Sequence, residues 1–581
     1  MRYTEFMHDA SNQDIAEILR EIATYLEMQD VPFKPRAFEK VAQTIEGLEE
    51  EVSALYKKGG LKALEEIPGV GKGIAERIEE FLKTGRIKDH ETLKRQVPVK
   101  LADFAGIEGV GPKTIKRLYK ELGVKDRATL ERAVKAGHIA KLAGFGKKSE
   151  EKIAKSLTFA NGNRRFILGY AMPQIRRVQA RLEEVPGAEK VVIAGSARRK
   201  KETIGDADIL AVAKNSKAIM EKFVSMPEVA AVIAHGDTKS SVKLRSGLNV
   251  DLRVVPAESY GAALNYFTGS KDHNVALRKI SVAKGWKLNE YGLFRGAKRL
   301  AGKNEEELYK AFGMDYIEPE LRENTGELEA ARKHALPKLI EYGALMGDLQ
   351  TQTDWTDGTE PIEAMALAAA KAGLEYIVIT DHTKRLAMTH GLDEKRIVLQ
   401  WKEIDRVQKK LGNKIKILKG SECDILKDGT LDLPDSILSK LDVVGVSVHS
   451  HFNLPRAEQT ARVIRAISNP HADILFHPTS RIINRREPID LDMDEVITMA
   501  KKTGTVLEIN SFPERSDLKD EYIRKCVDRG VKLSIDSDAH SSAHFANLEY
   551  GIAQARRGWA GKKDIVNAWP VEKMTKFLKN N

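Results

Sequence analysis

The spacing of apolar residues changes along the 581-residue chain, and the changes predict different architectures in succession. Up to about residue 160, short helical stretches are punctuated by glycine. Two of these stretches share a pattern, IPGVGKGIAERI from Ile67 to Ile78 and IEGVGPKTIKRL from Ile107 to Leu118, while LAGFGKKSEEKI from Leu142 to Ile153 is a looser third copy. Each sets Gly-x-Gly between an apolar residue and a helix start. This is the helix-hairpin-helix pattern, in which the turn at Gly69 and Gly71, and again at Gly109 and Gly111, offers backbone N–H groups to a DNA phosphate without reading base edges. For the third copy, with Phe145 in the turn and no proline, a purely structural turn stays open.

Beyond residue 160 the period shortens to two. Asp206 and Asp208 are two apart in a strand whose other face carries Ala207, Ile209 and Ala211, so both carboxylates project from one side of a sheet. Asp251 repeats the pattern, with Val250, Leu252 and Val254 turned inward and Arg253 beside it outward. Pairing of the two strands would gather three carboxylates, a donor set suited to Mg²⁺ or Mn²⁺ with positions left for phosphate oxygens and an attacking hydroxyl. Upstream, the strand VVIAG ends at Gly195, which would let a phosphate approach the backbone. A helix starting at Ser196 would aim N–H groups at that phosphate, and Arg199 would add a permanent cation.

From Gly347 onward, apolar strands (EYIVIT, KIKIL, VVGVSV, DILFHP, VLEINS, VKLSIDSD) alternate with plausible helices, which predicts a parallel α/β barrel with its chemistry at the strand ends. Metal-ligand residue types occupy those ends: Asp381 and His382, Glu422, His449 and His451, His477, and Asp538 with His540.

Composition adds little to this picture. A net charge of +11 favours a polyanionic partner, and Cys423 and Cys526 stand in no metal-type spacing, consistent with a reducing compartment. No apolar run reaches membrane length, so neither export nor insertion is indicated; a monomeric cytoplasmic, nucleoid-associated protein is expected.

With these residues in view, the chain from residue 1 to about 318 resembles the family X DNA polymerases, which have a polymerase beta-like core. Gly195, Ser196, Arg199 and Gly205 to Asp208 match the family's palm motif. The resemblance implies that Asp206, Asp208 and Asp251 are catalytic metal ligands and that Ser196 and Arg199 hold the triphosphate of an incoming nucleotide. YFTGSKDHNVALR looks like the family's nucleotide pocket, which puts Tyr266 and Phe267 against the sugar, Gly269 at the turn, Asn274 on the base edge and Arg278 in the template's minor groove. WKLNEYGLF resembles its thumb segment, with Asn289, Glu290 and Tyr291 in matching positions. Where some members carry a Schiff-base lysine in the first hairpin, this chain has Arg77, which cannot act as an amine nucleophile, and Lys72 is displaced in the motif; lyase activity is not expected.

The last part resembles the polymerase and histidinol phosphatase (PHP) domain, a trinuclear phosphoesterase attached to bacterial and archaeal family X polymerases. The family's first motif, Asp-Leu-His-x-His, here reads DLQTQTDWTDG, with Gln350 and Gln352 in place of the paired histidines. The first ion would keep mainly Glu422 and Asp538. Glu422 with His449 and His477 could hold a second ion, and Asp357 with His382 and His540 a third. The domain is expected to bind fewer metals, to favour Mn²⁺ over Zn²⁺, or to serve as a scaffold.

The resemblance thus implies a multidomain chain: all-α helix-hairpin-helix domains over 1–88 and 89–160, an α+β nucleotidyltransferase palm over 161–256, a thumb over 257–318, a charged connector over 319–340, and a (β/α) barrel-like PHP domain over 341–581. The expected function is gap-filling DNA synthesis of base excision repair type from dNTPs on gapped or primer-template DNA, with a 3′–5′ exonuclease or 3′-end phosphoesterase weakened by the two glutamines. A PHP phosphoesterase tethered to DNA, or a nonenzymatic DNA-binding scaffold, are the alternatives; the palm triad and the YFTGS pocket argue against both.

Overall fold

The computed structural model describes residues 10, 12–48, 50–104, 107, 109–159, 165–386 and 389–579. They fall into two compact units, Met1–Arg164 with Arg481–Pro488 and Ser541–Ala543, and the remainder from Arg165 onward.

The first unit is helical, as the glycine-punctuated pattern predicts. Its helix Asn12–Met28 serves two cores: Ile15, Leu19 and Ile22 pack with Val41, Ile45, Ile78 and Leu82, while Tyr25 and Met28 pack with Phe104, Ile115, Leu118 and Ile153. All three hairpins close by the same turn. The N–H of Val70 donates to Ile67 O (2.9 Å), that of Val110 to Ile107 O (3.1 Å) and that of Phe145 to Leu142 O (3.0 Å). Gly69, Gly109 and Gly144 each sit near φ +80°, a conformation costly for any other residue. The third copy therefore adopts the hairpin turn despite Phe145, whose ring instead carries the Arg117 guanidinium 5.3 Å from its centroid.

The two glycines of a hairpin have different duties. Gly71 and Gly111 cap the following helices with φ −81°, and a Cβ on either would meet nothing within 4 Å. The fold thus demands Gly109 but not Gly111. Gly109→Val should destabilise the unit by about 1–3 kcal/mol, whereas Gly111→Val should leave thermal unfolding unchanged and weaken binding to gapped DNA at fixed salt. Equal DNA affinity for Gly111→Val and the parent would remove the phosphate-facing role.

The second unit contains three sheets that matter for function. A five-stranded mixed sheet runs in the order Ala188–Ile193, Asp206–Ala213, Asn249–Val254, Lys239–Leu244, Val229–His235. Helices Leu168–Glu183 and Ser216–Val224 cover one face through Ile175, Val178, Ile219 and Phe223, and helix Tyr260–Thr268 packs Ala263 and Leu264 on the other against Leu210 and Val212. A three-stranded antiparallel sheet, Lys287–Asn289, Gly292–Arg295 and Lys298–Ala301, follows. The Asn289 side chain accepts from the N–H groups of Tyr291 (3.0 Å) and Gly292 (3.2 Å) and so fixes the turn between its first two strands.

The third sheet has seven parallel strands in sequence order, Gly347–Thr351, Tyr376–Ile379, Lys416–Asp424, Val443–Ser447, Ile474–Leu475, Val506–Asn510 and Leu533–Asp536. A bridge between Thr351 and Ala539 brings its ends together into a barrel. The strands are buried on both faces, which is why they read as continuous apolar runs. Alternation still sorts them: Ile377 and Ile379 pack with the helices, whereas Tyr376 and Val378 join Phe476, Trp569 and the helix Val571–Lys579. Residues 319–340 do more than connect. Arg322 is fully buried and pairs with Glu305, which also takes Arg198.

Candidate active sites

The parallel pairing of Asp206–Ala213 with Asn249–Val254 sets Asp208 directly opposite Asp251. Matched register puts the two carboxylates on one face, with Asp206 two residues along, while Ala207, Ile209, Val250 and Leu252 enter the core. Asp206 is exposed; Asp208 and Asp251 are half-buried. Burial and the charges of Asp206 and Asp251 push the Asp208 carboxyl up to about 6. Lys239, on the next strand, lies 3.2 Å from Asp251 Oδ2. Three hard oxygen donors that repel one another fit a divalent cation.

Gly195 stands against this face with φ +62°, and a Cβ there would collide with the Asp208 carboxylate. The first demand on this glycine is therefore room for Asp208, not for a phosphate. The helix expected to begin at Ser196 is the single turn Gly195–Arg198, with Ser196 half-buried. Arg199, expected as a permanent cation, is held in place: Nε lies 3.0 Å from Glu323 Oε1, and Nη1 donates to the Thr268 carbonyl. A Cβ on Gly269, at φ +71°, would come within 3.1 Å of Arg199 Nη1.

Tyr266, Asn274, Arg278 and Asn289 line one open pocket. Tyr266 is 38 % exposed, so it is not a core aromatic; its ring meets Phe267 edge-on with centroids 5.1 Å apart. Asn274 Nδ2 donates to Tyr266 O at 2.7 Å, and Arg278 Nε to Asn274 O at 3.3 Å. Arg253, given no role from the sequence beyond facing outward beside Asp251, stacks 4.5 Å from the Phe267 centroid and ties the carboxylate face to this pocket.

At the barrel's strand ends, histidines and carboxylates converge. Asp357, His382 and His540 form one group able to hold a metal ion, and His382, Glu422 and His449 another. His382 bridges them, with Nε2 3.5 Å from Asp357 Oδ1 and Nδ1 3.4 Å from Glu422 Oε2. Glu422 Oε1 also receives His449 Nε2 (3.1 Å) and His477 Nε2 (2.8 Å). His477 thus touches the second set, but His382 completes it. Burial disfavours charge on His449, yet Glu422 and Asp424 outweigh it and hold the imidazole at about 9, whereas burial and the nearby Arg515 push His477 down to about 4. His477 and Asp538 both occupy positive φ, backbone strain of the kind found at functional sites. Asp381 does not join: it is buried and accepts from Thr353 N (2.9 Å) and Gln400 Nε2 (2.6 Å). His451 is exposed and outside both groups.

Family models match four stretches of the chain: a helix-hairpin-helix domain (10–87), a SAM-like helix-hairpin-helix tandem (101–158), the DNA polymerase beta thumb (263–323) and the PHP domain (348–555). The chain is 39 % identical over 575 residues to the DNA polymerase/3′-5′ exonuclease PolX of Bacillus subtilis, covering 98 % of this chain and 99 % of that one. It belongs to the PHP-bearing family X DNA polymerases. Two further relatives match in part. A probable phosphatase of Thermoanaerobacter is 32 % identical over 225 residues, 37 % of this chain and 86 % of that protein. DNA polymerase lambda of Arabidopsis thaliana is 26 % identical over 296 residues, 45 % of this chain and 53 % of that protein.

In this family X polymerase the two glutamines enter a hydrogen-bonded network with the neighbouring carboxylates. Gln352 Nε2 donates to Glu422 Oε2 at 2.8 Å. Asn510 Nδ2 reaches Asp538 Oδ2 (3.2 Å), Glu508 Oε2 (3.3 Å) and Gln350 Oε1 (3.2 Å). Asn510 Oδ1 accepts from Phe512 N, which fixes the amide's orientation. Arg515 Nε adds a cation 3.3 Å from Asp538 Oδ2. Glu422 Oε2 and Asp538 Oδ2 thus each face amide or guanidinium N–H groups. Glu508 and Asn510 end the strand Val506–Asn510, and the strand-end logic that found the histidines would have found them too.

Proposed function

We propose that this chain is a template-directed DNA polymerase that fills short gaps during DNA repair, from dNTPs, with a second, weak 3′-end-removing activity in its PHP domain. The observation that carries the reading is the register of Asp208 on Asp251 beside Asp206, adjoining the Tyr266–Asn274–Arg278 pocket. Asp206, Asp208 and Asp251 would hold two Mg²⁺ or Mn²⁺ ions, which when bound stabilise charge on the phosphate and lower the pKa of an attacking hydroxyl. Asp251, which pairs with Lys239, would favour deprotonation of a primer 3′ hydroxyl. Ser196 and Arg199 would hold the triphosphate. Tyr266 and Phe267 would meet the sugar, Asn274 the base edge and Arg278 the template. The hairpin turns at Gly69, Gly71, Gly109 and Gly111 would grip DNA phosphates in a way that carries no sequence information.

In the PHP domain, Asp357, His382 and His540 would hold one ion, and Glu422 and His449, with His382 shared between the sets and His477 beside them, a second, with Mn²⁺ favoured over Zn²⁺. Asp424, 3.2 Å from His449 Nδ1, would orient that imidazole. The first-hairpin position of a lyase lysine carries Arg77, ion-paired with Asp89, which argues against that activity. Primer extension on gapped DNA by the full chain tests the main reading.

Tyr266 is further proposed to exclude ribonucleotides, because an exposed ring at the pocket's edge would meet a 2′ hydroxyl. Tyr266→Ala should raise rNTP relative to dNTP incorporation about ten- to a hundredfold. An unchanged ratio in single-turnover assays would assign the ring to packing alone.

A further inference from the structure

The helix Leu548–Arg557, which follows the last barrel strand, is built into the palm. Tyr550 joins the palm core and its hydroxyl donates to Gly169 O at 3.3 Å. Arg176 pairs with Glu549 at 2.8 Å, and Arg556 with Glu320 at 2.7 Å. The last residue, Arg557, reaches furthest. Its side chain is 2 % exposed; Nη1 lies 3.0 Å from Glu323 Oε1 and donates to the Arg199 carbonyl at 2.9 Å, while Nη2 pairs with Asp520. The Glu323 oxygen that binds Arg557 is the one that binds Arg199 Nε.

We propose that Arg557 is a positioning residue for nucleotide addition, setting the Arg199 guanidinium for the incoming triphosphate through the shared Glu323 carboxylate. The inference rests on the triphosphate-binding reading of Arg199. A carboxylate divided among two guanidiniums and the Lys201 ammonium, 3.7 Å from the same oxygen, neutralises each only in part, so Arg199 keeps positive potential toward an anionic ligand. The planar fork of Arg557 also fixes the backbone that carries Arg199, at the end of the turn Gly195–Arg198. Without Arg557, more of the Glu323 charge falls on Arg199, which weakens the pull of that guanidinium on an anionic ligand. A barrel residue is thereby part of the palm's machinery, and the fragment 1–318 lacks both Glu323 and Arg557.

The test uses the full chain on gapped DNA. Arg557→Gln should raise KM for dNTP about tenfold, the loss of one charge-assisted hydrogen bond, with kcat changed less than twofold. Arg557→Lys should restore only part of the loss, since an ammonium cannot serve all three acceptors with the same fork. In an Arg199→Ala background the Arg557→Gln effect should vanish, a coupling that a loosened interface would not produce. Arg176→Ala, which cuts a neighbouring ion pair of the same interface, should lower thermal stability and leave KM for dNTP unchanged. If Arg557→Gln fails to fold, Glu323→Gln takes its place and should alter KM for dNTP only while Arg199 is present. Unchanged KM in a folded Arg557→Gln chain, or additive effects with Arg199→Ala, would overturn the proposal. No nucleotide addition by the unmodified chain would instead overturn the polymerase reading itself.

Discussion

Asp208→Ala should abolish nucleotide addition, lowering it by about a thousandfold or more, while affinity for gapped DNA stays within about threefold of the parent. Asp206→Ala should behave alike. The two effects separate because the carboxylates hold ions and the hairpins hold DNA, on different parts of the chain. Asp208 offers a second readout. Its carboxyl is raised to about 6 by burial and by Asp206 and Asp251, so between the ordinary value near 3.8 and about 6 the folded chain takes up a proton that the unfolded chain does not. On this group alone, stability of the metal-free chain therefore falls as pH rises through that window. Asp208→Asn should remove the repulsion and raise the thermal unfolding temperature at pH 7 even as activity is lost. Cation and proton compete for the same oxygens, so activity at limiting Mg²⁺ should decline as pH falls through about 6, and added Mg²⁺ should move that midpoint down. Undiminished extension by Asp208→Ala would sink the palm assignment.

The second large effect concerns Gln350 and Gln352. Replacing both with histidine removes the amide that now donates to Glu422 Oε2 and the carbonyl that accepts from Asn510. Two imidazoles would then join Glu422 and Asp538 as a donor set for a transition metal. The double variant should gain about one equivalent of Mn²⁺ per chain by elemental analysis, and its 3′-end removal should rise by about a hundredfold or more, the scale of an added Lewis acid. His449→Ala should abolish what activity the parent has. A robust exonuclease in the unmodified chain, lost on His449→Ala yet indifferent to Gln350→His with Gln352→His, would mean that the amide network is no obstacle to catalysis.

Much of this was legible in the sequence where chemistry follows a short-range rule. Period two puts Asp206 and Asp208 on one face whatever the fold, and the repeated Gly-x-Gly announces a turn because only glycine tolerates φ near +80°. Strand-end offsets likewise gathered His382, Glu422, His449 and His540, to which the resemblance added Asp357. What escaped was set by tertiary contact. Glu323 and Arg557 lie far from Arg199 in sequence, and nothing local to either marks it as that residue's keeper. Gly195 was right for a different reason, since its neighbour is the Asp208 side chain. Asn510 was overlooked because an amide is a poor transition-metal ligand, although as a donor it is suited to occupying carboxylates in an ion's place.

The central claim is that the carboxylate face of the palm adds templated nucleotides to a DNA 3′ end. It is tested most directly by offering the full chain a gapped duplex with each dNTP singly in Mg²⁺, and repeating the assay with Asp208→Ala. The account predicts addition of the nucleotide complementary to the template base and its loss in the variant. No addition by the unmodified chain, equal use of all four nucleotides, or full activity in Asp208→Ala would contradict it.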